Sequence, residues 1–150
     1  LGYSIKNKFR IHNYNFFEDD NEIKCSASHN AYEDKIGYIH KREIKIRKKD
    51  GVIFGTDELL KKKEVNNVKF NIHFHLYPGI SAVKTMSGSS VLLHIKKNKS
   101  LIFNAKDNKM TIEKSIFLGR NKILNNICIT IPGNLNKETK KINWEIKKNI

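Results

Sequence analysis

The stretch Val68-Lys69-Phe70-Asn71-Ile72-His73-Phe74-His75-Leu76-Tyr77 decides how this chain is read. Val68, Phe70, Ile72, Phe74 and Leu76 occupy every second place, and Lys69, Asn71, His73, His75 and Tyr77 fill the gaps. Successive side chains of a strand point to opposite faces, so this is a half-buried strand, apolar on one face and polar on the other. The same period runs through most of the chain. Ile44 and Ile46 alternate with Glu43, Lys45 and Arg47, and Ile112 and Ile116 with Glu113 and Ser115. Ile127, Ile129 and Ile131 alternate with Cys128 and Thr130; Val91 to Ile95, Leu101 to Ala105 and Ile142 to Ile146 around Trp144 read alike.

Turn chemistry separates these runs. Asp50-Gly51 is a tight hairpin signal, and Asn98-Lys99 and Asp107-Asn108 separate further strand pairs. Pro78-Gly79 and Pro132-Gly133 are expected to end strands, where a missing N–H does little harm. Helical periodicity is almost absent. Asp57 to Glu64 reads either as a short helix or as an exposed strand edge guarded by Lys61-Lys62-Lys63. About ten or more short strands at regular spacing make an all-β chain, an antiparallel sandwich or barrel with little or no helix. No internal repeat, linker or low-complexity tract interrupts it, so it is one domain or most of one.

Length and charge bound the function. The 150 residues are a single-domain length, and the 39% hydrophobic content is enough for a core, which excludes wholesale disorder. No apolar run approaches the roughly 18–20 residues that span a bilayer. The chain starts Leu1-Gly2-Tyr3 without Met, so the missing targeting segment says nothing about compartment. Lys plus Arg number 29 against 15 Asp plus Glu, a formal charge of +14. Arg stands only at Arg10, Arg42, Arg47 and Arg120. Lys enriched together with Asn and Ile is the bias of AT-rich coding, which spreads charge over every solvated face. The charge permits an anionic partner without selecting one. Specific nucleic-acid binding calls for aromatics interleaved with basic residues on one face. Here Phe70, Phe74 and Phe103 fall on apolar faces, and Glu18-Asp19-Asp20 directly follows the cluster Tyr14, Phe16 and Phe17.

Histidines are the main site material: His12, His29, His40, His73, His75 and His94. His73 and His75, two apart on a strand, share the face opposite Phe70, Ile72 and Phe74 and can offer two imidazoles to one metal. Zinc requires a third protein ligand, which the sequence does not identify. His29 sits in Ser26-Ala27-Ser28-His29-Asn30-Ala31-Tyr32, a small-residue stretch leaving a strand. A loop His beside Tyr32 suits acid–base work or ligand contact, since imidazole titrates near neutrality; hydrogen bonding to loop backbone is the plainer role. His40 and His94 read as structural strand residues. Cys25 and Cys128 allow one disulfide at most and read as two small thiols inside strands. Gly55-Thr56 lacks the spacing of a phosphate loop, and Ser87-Gly88-Ser89-Ser90 lacks the flanks of a nucleophile elbow.

Taken in order, several segments resemble the C-terminal β-sandwich of the heparinase II/III-like polysaccharide lyases. Ser26 to Tyr32 is similar to that family's Ser-Ala-Ser-His loop, with Asn30-Ala31 where the family has Asp-Gly. Gly37-Tyr38-Ile39-His40-Lys41-Arg42 resembles the strand that follows, and Gly55-Thr56-Asp57-Glu58-Leu59 the next hairpin. In Ile72-His73-Phe74-His75-Leu76-Tyr77-Pro78 the family usually has Arg at position 73 and His at position 77. Val91-Leu92-Leu93, then Ile112 to Gly119, and Trp144 complete the order.

The resemblance implies an antiparallel β-sandwich of supersandwich type, preceded in the whole enzyme by a helical toroid and the first sandwich strands. It implies β-elimination across a uronic-acid linkage of an acidic polysaccharide, with the catalytic residues upstream of Leu1. The family's zinc-binding His-x-His pair also lies upstream; His73 and His75 sit in a later strand and are not that pair. The resemblance therefore implies no cofactor in this segment and zinc only in the full-length protein. His29, His40 and His75 carry over as structural or cleft-lining groups, which makes His29, Tyr32 and His75 the cleft candidates and His73 and His75 the metal candidates. The implied partners are the acidic polysaccharide and the N-terminal helical domain, and the implied compartment is the periplasm or cell envelope. The alternative is a non-catalytic basic module that grips acidic glycans.

Overall fold

The computed structural model describes residues 9–64, 67–96, 99–119, 122–136 and 138–149. The strands among them are β1 (Ile11–Glu18), β2 (Glu22–His29), β3 (Tyr38–Arg47), β4 (Val52–Lys61), β5 (Val68–His75) and β6 (Ser81–Lys84). They continue as β7 (Ser90–Lys96), β8 (Lys99–Asn104), β9 (Thr111–Gly119), β10 (Lys122–Leu135) and β11 (Lys140–Lys148). One single-turn helix, α1 (Glu33–Ile36), ends at Gly37, whose φ of 69° is the left-handed conformation that glycine adopts without strain. No helix among the described residues is long and apolar enough to cross a membrane.

Pairing is antiparallel throughout. Eight strands form one sheet in the order β1-β2-β3-β4-β11-β8-β7-β6, and β5-β10-β9 form a second. The alternation read from the sequence is what builds the space between them. Ile72, Ile129 and Ile131 of the smaller sheet pack against Val91, Leu93, Phe103, Ile142 and Trp144 of the larger one. Phe74 closes this core, its ring 4.7 Å from that of Phe103 and 5.0 Å from that of Trp144. Each large apolar side chain buried here contributes about 1.5–3 kcal/mol relative to exposure. The antiparallel sandwich expected from the sequence is present, and no barrel closes.

Several local expectations change. Asp57 to Lys61 is neither helix nor edge: it belongs to β4, which lies between β3 and β11 in the interior of the larger sheet. Gly55, Asp57 and Leu59 are buried in period two, and Lys62 and Lys63 lie exposed beyond the strand. Pro132-Gly133 does not end a strand. β10 runs through to Leu135, and its partner β9 stops opposite Thr130, so Pro132 has only β5 beside it and its missing N–H breaks no second ladder. Asp107-Asn108 connects β8 in the larger sheet to β9 in the smaller, a crossover between sheets instead of a hairpin. Asp50-Gly51 does turn β3 into β4, with Gly51 at φ 68°. Tyr14, Phe16 and Phe17 lie on β1, an exposed edge strand whose alternation is broken by an irregularity between His12 and Asn15. Asn98 of the expected turn, Arg120 and the Leu1-Gly2-Tyr3 start lie outside the described residues.

Three strands do not cover eight. Phe16, Cys25 and Ile44 form one cross-strand row and Ile23 and Ile46 another, on the face of β1–β3 that continues the core-facing side. Of these Phe16 is 54% exposed. Cys25 and Cys128 are both free thiols, on different sheets.

Candidate functional site

Where the larger sheet runs past the smaller one, four polar side chains meet on its inner face. Antiparallel register sets His29 of β2 opposite His40 of β3, and Arg42 of β3 opposite Asp57 of β4. Directly opposed residues share a face at close range, so the four form one cluster. Asp57 is 1% exposed. Its Oδ1 accepts from Arg42 Nε at 2.7 Å and faces His40 Nε2 at 2.7 Å, and its Oδ2 accepts from Trp144 Nε1 at 2.8 Å. Burial by itself raises the carboxyl pKa, but the bonds from His40, Arg42 and Trp144 outweigh it and hold the group below its ordinary value. A buried carboxylate is tolerated only when paired in this way.

The hydrogen bonds fix the proton positions. Ala31 N–H donates to His29 Nδ1 at 3.4 Å, which leaves His29 Nε2 as the donor toward His40 Nδ1 at 3.2 Å. His40 Nε2–H then donates to Asp57. The chain Asp57–His40–His29 is thus a continuous hydrogen-bonded series that orients both imidazoles from the buried carboxylate outward. Burial, and then the neighbouring His40, push the His29 pKa below its ordinary 6.5, so His29 is neutral at pH 7. The Tyr32 and Phe9 rings flank His29 at 5.3 Å and 5.9 Å.

Beside the cluster lies an open cavity of about 390 Å³. One wall is Tyr32 and Ile36 of the α1 turn with His40 and Arg42; the other is β5, residues 69 to 73. β5 is the outer strand of its sheet, so the unpaired backbone donors and acceptors of its free edge face outward. Arg42 is neutralised by Asp57, which leaves Lys69 as the net positive charge of the lining. The cavity is floored by Leu59, Phe70, Ile72 and Leu135 and carries at its rim an aromatic ring, backbone hydrogen-bonding groups and a cation, so it can take the apolar face of a ligand whose polar or anionic groups meet the rim.

Of the cleft candidates, His29 and Tyr32 come together here and His75 does not. His75 lies on the outer face of the smaller sheet, with its Nδ1 2.8 Å from Ser115 Oγ. His73, the other metal candidate, stands beside it, the two rings 6.1 Å apart. Among the described residues no group of three or more His, Cys, Asp or Glu side chains is placed to hold a metal ion. His12 and His94 are exposed on β1 and β7. Sequence reasoning passed over Asp57 and Arg42 and read His40 as structural. The available signal was an acid inside the period-two run Ile53, Gly55, Asp57, Leu59, facing a strand that carries His40 and Arg42 in the same period.

The description "Heparinase II/III-like, C-terminal" fits residues 4–145. The heparan sulfate lyase HepC from Pedobacter heparinus superposes with a TM-score of 0.76 at 13% identity, covering 94% of this chain and 22% of that one. The heparinase III known as the BT4657 gene product gives 0.73 at 10% identity over 95% of this chain and 22% of that one. A further heparinase III structure gives 0.70 at 15% identity over 93% and 21%. No curated protein matches. This chain thus spans about a fifth of the length of these lyases. At these identities the likeness concerns the fold, whereas the family rests on the match over residues 4–145: the chain belongs to the heparinase II/III-like family as its C-terminal domain.

Proposed function

We propose that this chain is the C-terminal sandwich of a lyase that cleaves uronic-acid-containing polysaccharide by β-elimination, and that it is not catalytic alone. The observation that carries this reading is the family match over residues 4–145 on a chain spanning 22% of the HepC structure. The polar cluster bears on how the cavity is held: Asp57 is fully engaged by three donors and fixes His40 and Arg42, and His29 is an oriented neutral imidazole at the rim. Elimination requires a base at C5 together with neutralisation of the uronate carboxylate. In this proposal residues outside the chain supply the base and acid, and the cavity between β3 and β5 holds the acidic sugar chain through Lys69, Tyr32 and the β5 edge. The exposed Phe16 end of the row Phe16, Cys25 and Ile44 is the surface on which the helical domain of the same protein packs. The compartment is the periplasm or cell envelope, where such polysaccharide is met.

The test is an assay of the 150 residues on heparin, heparan sulfate and alginate, following the ultraviolet absorbance of the unsaturated product. The expected result is no turnover; product formation by this chain contradicts the reading. A second reading, a basic module that binds acidic glycans without cleaving them, is favoured by the charge of +14. It gains if the chain extended by its upstream residues also yields no unsaturated product while binding persists.

A further inference from the structure

We propose that the series Asp57–His40–His29 is a proton-operated latch: one proton added to its two imidazoles lands on His29 Nδ1, breaks the bond from the Ala31 N–H and releases Tyr32 from the cavity wall. The two rings have four nitrogens, and three of them are committed. His40 Nε2 carries the hydrogen given to Asp57. His29 Nε2 and His40 Nδ1 lie 3.2 Å apart, and a contact of that length holds one hydrogen. The Asp57 carboxylate, already accepting from His40, Arg42 and Trp144, is not the place for another. The nitrogen that remains is His29 Nδ1, 3.4 Å from the Ala31 nitrogen. Whichever ring bears the charge, the added hydrogen stands there, and a donor then faces a donor.

The surroundings confine the response to Ala31 and Tyr32. On one side Asn30 is tied to Arg10, whose N–H donates to Asn30 Oδ1 at 2.8 Å and whose carbonyl accepts from the Asn30 N–H at 3.3 Å. On the other side α1 is closed by Glu33 N–H to the Asn30 carbonyl at 3.0 Å and Ile36 N–H to the Tyr32 carbonyl at 2.9 Å. Among the described residues the Ala31 N–H has no acceptor besides His29 Nδ1. Tyr32 follows it directly, half-exposed, with its ring 5.3 Å from that of His29. Around His29, β1 sets Ile11 opposite it, Phe9 and Tyr32 flank it, and β3 brings His40, with Arg42 and Asp57 behind. Burial and the charge of His40 both oppose protonation of His29, so the latch is shut at pH 7 and opens below 6.5. In acid the cavity thereby loses its aromatic wall and gains a positive charge at its rim, whatever ligand it takes.

The test is a titration of the isotope-labelled chain from about pH 7.5 to about pH 4.5, followed by histidine ring-nitrogen, backbone-amide and Tyr32 ring resonances. At the neutral end His29 Nδ1 is expected to bear no hydrogen and Nε2 to bear one. On acidification Nδ1 is expected to gain a hydrogen with a midpoint below 6.5, and the Ala31 amide to shift with that same midpoint. The cross-relaxation between the Tyr32 and His29 rings is expected to disappear over the same range. His29→Gln removes the titrating group and is expected to abolish the pH response of Ala31 and Tyr32. Should that variant fail to fold, the wild-type titration decides by itself. A hydrogen on His29 Nδ1 at neutral pH, an Ala31 amide that does not follow His29, or a Tyr32–His29 ring contact that persists in acid overturns the proposal. So does a response of Ala31 and Tyr32 that survives in a folded His29→Gln chain.

Discussion

Asp57 is the residue on which the inner face of the larger sheet depends. Its side chain is fully buried and draws together β3, β4 and β11 through His40, Arg42 and Trp144. Replacing it with Asn leaves one acceptor oxygen for three donors, turns an amide NH2 toward the others and removes the counter-charge of Arg42. Breaking a buried pair from one side typically costs 3–5 kcal/mol, and the partial exposure of Arg42 lowers that, so Asp57→Asn is expected to cost about 3 kcal/mol by urea denaturation. The pH dependence has a definite sign. The folded pKa of Asp57 lies below its ordinary 3.8, so the stability it adds is present above 3.8 and is lost as pH falls through the folded value. Acid unfolding of Asp57→Asn is therefore expected to be shallower below pH 4; an unchanged acid limb contradicts the assigned role. This residue also marks a limit of sequence reading. An acid after Gly55 reads as a helix start or a surface edge because nothing local announces three donors from residues 15 to 87 positions away.

At the scale of elements, legibility follows periodicity. β3, β5, β7, β9 and β11 were readable because each alternates between an apolar and a polar face. β1 was not, because an exposed edge strand has no buried face to impose alternation. The continuation of β10 through Pro132 depends on where β9 stops, which is a property of the pairing and not of β10. Close approach of β4 and β11 is another such property. A Cβ on Gly55 would overlap the indole of Trp144, directly opposite in the register. Gly55→Ala is expected to destabilise the chain by about 1–3 kcal/mol, as overpacking in a core does, and to shift Trp144 fluorescence to the red as the indole is displaced. Unchanged stability and emission contradict this packing. The candidate site was legible only in parts. His29 and Tyr32 were visible as a loop pair, whereas their partners His40, Arg42 and Asp57 enter through cross-strand register.

At the scale of the whole molecule, the +14 charge and the cavity make different claims. Lysines spread over solvated faces attract any polyanion, with an affinity that falls steeply with salt. In the proposed function, a cavity built from Tyr32, Arg42, Lys69 and the free edge of β5 attracts an acidic sugar at one place. The proposed function favours the localised claim, because a sandwich that serves a lyase would have to present substrate to residues outside it. The most direct measurement is a titration of the chain with a heparan sulfate oligosaccharide at physiological salt, followed by backbone amide chemical shifts. The account predicts shifts concentrated at Tyr32, Arg42 and residues 69 to 73, weakened by Lys69→Gln, with no unsaturated product formed. Shifts scattered over the outer lysines and indifferent to Lys69→Gln, or product accumulating during the titration, would contradict it.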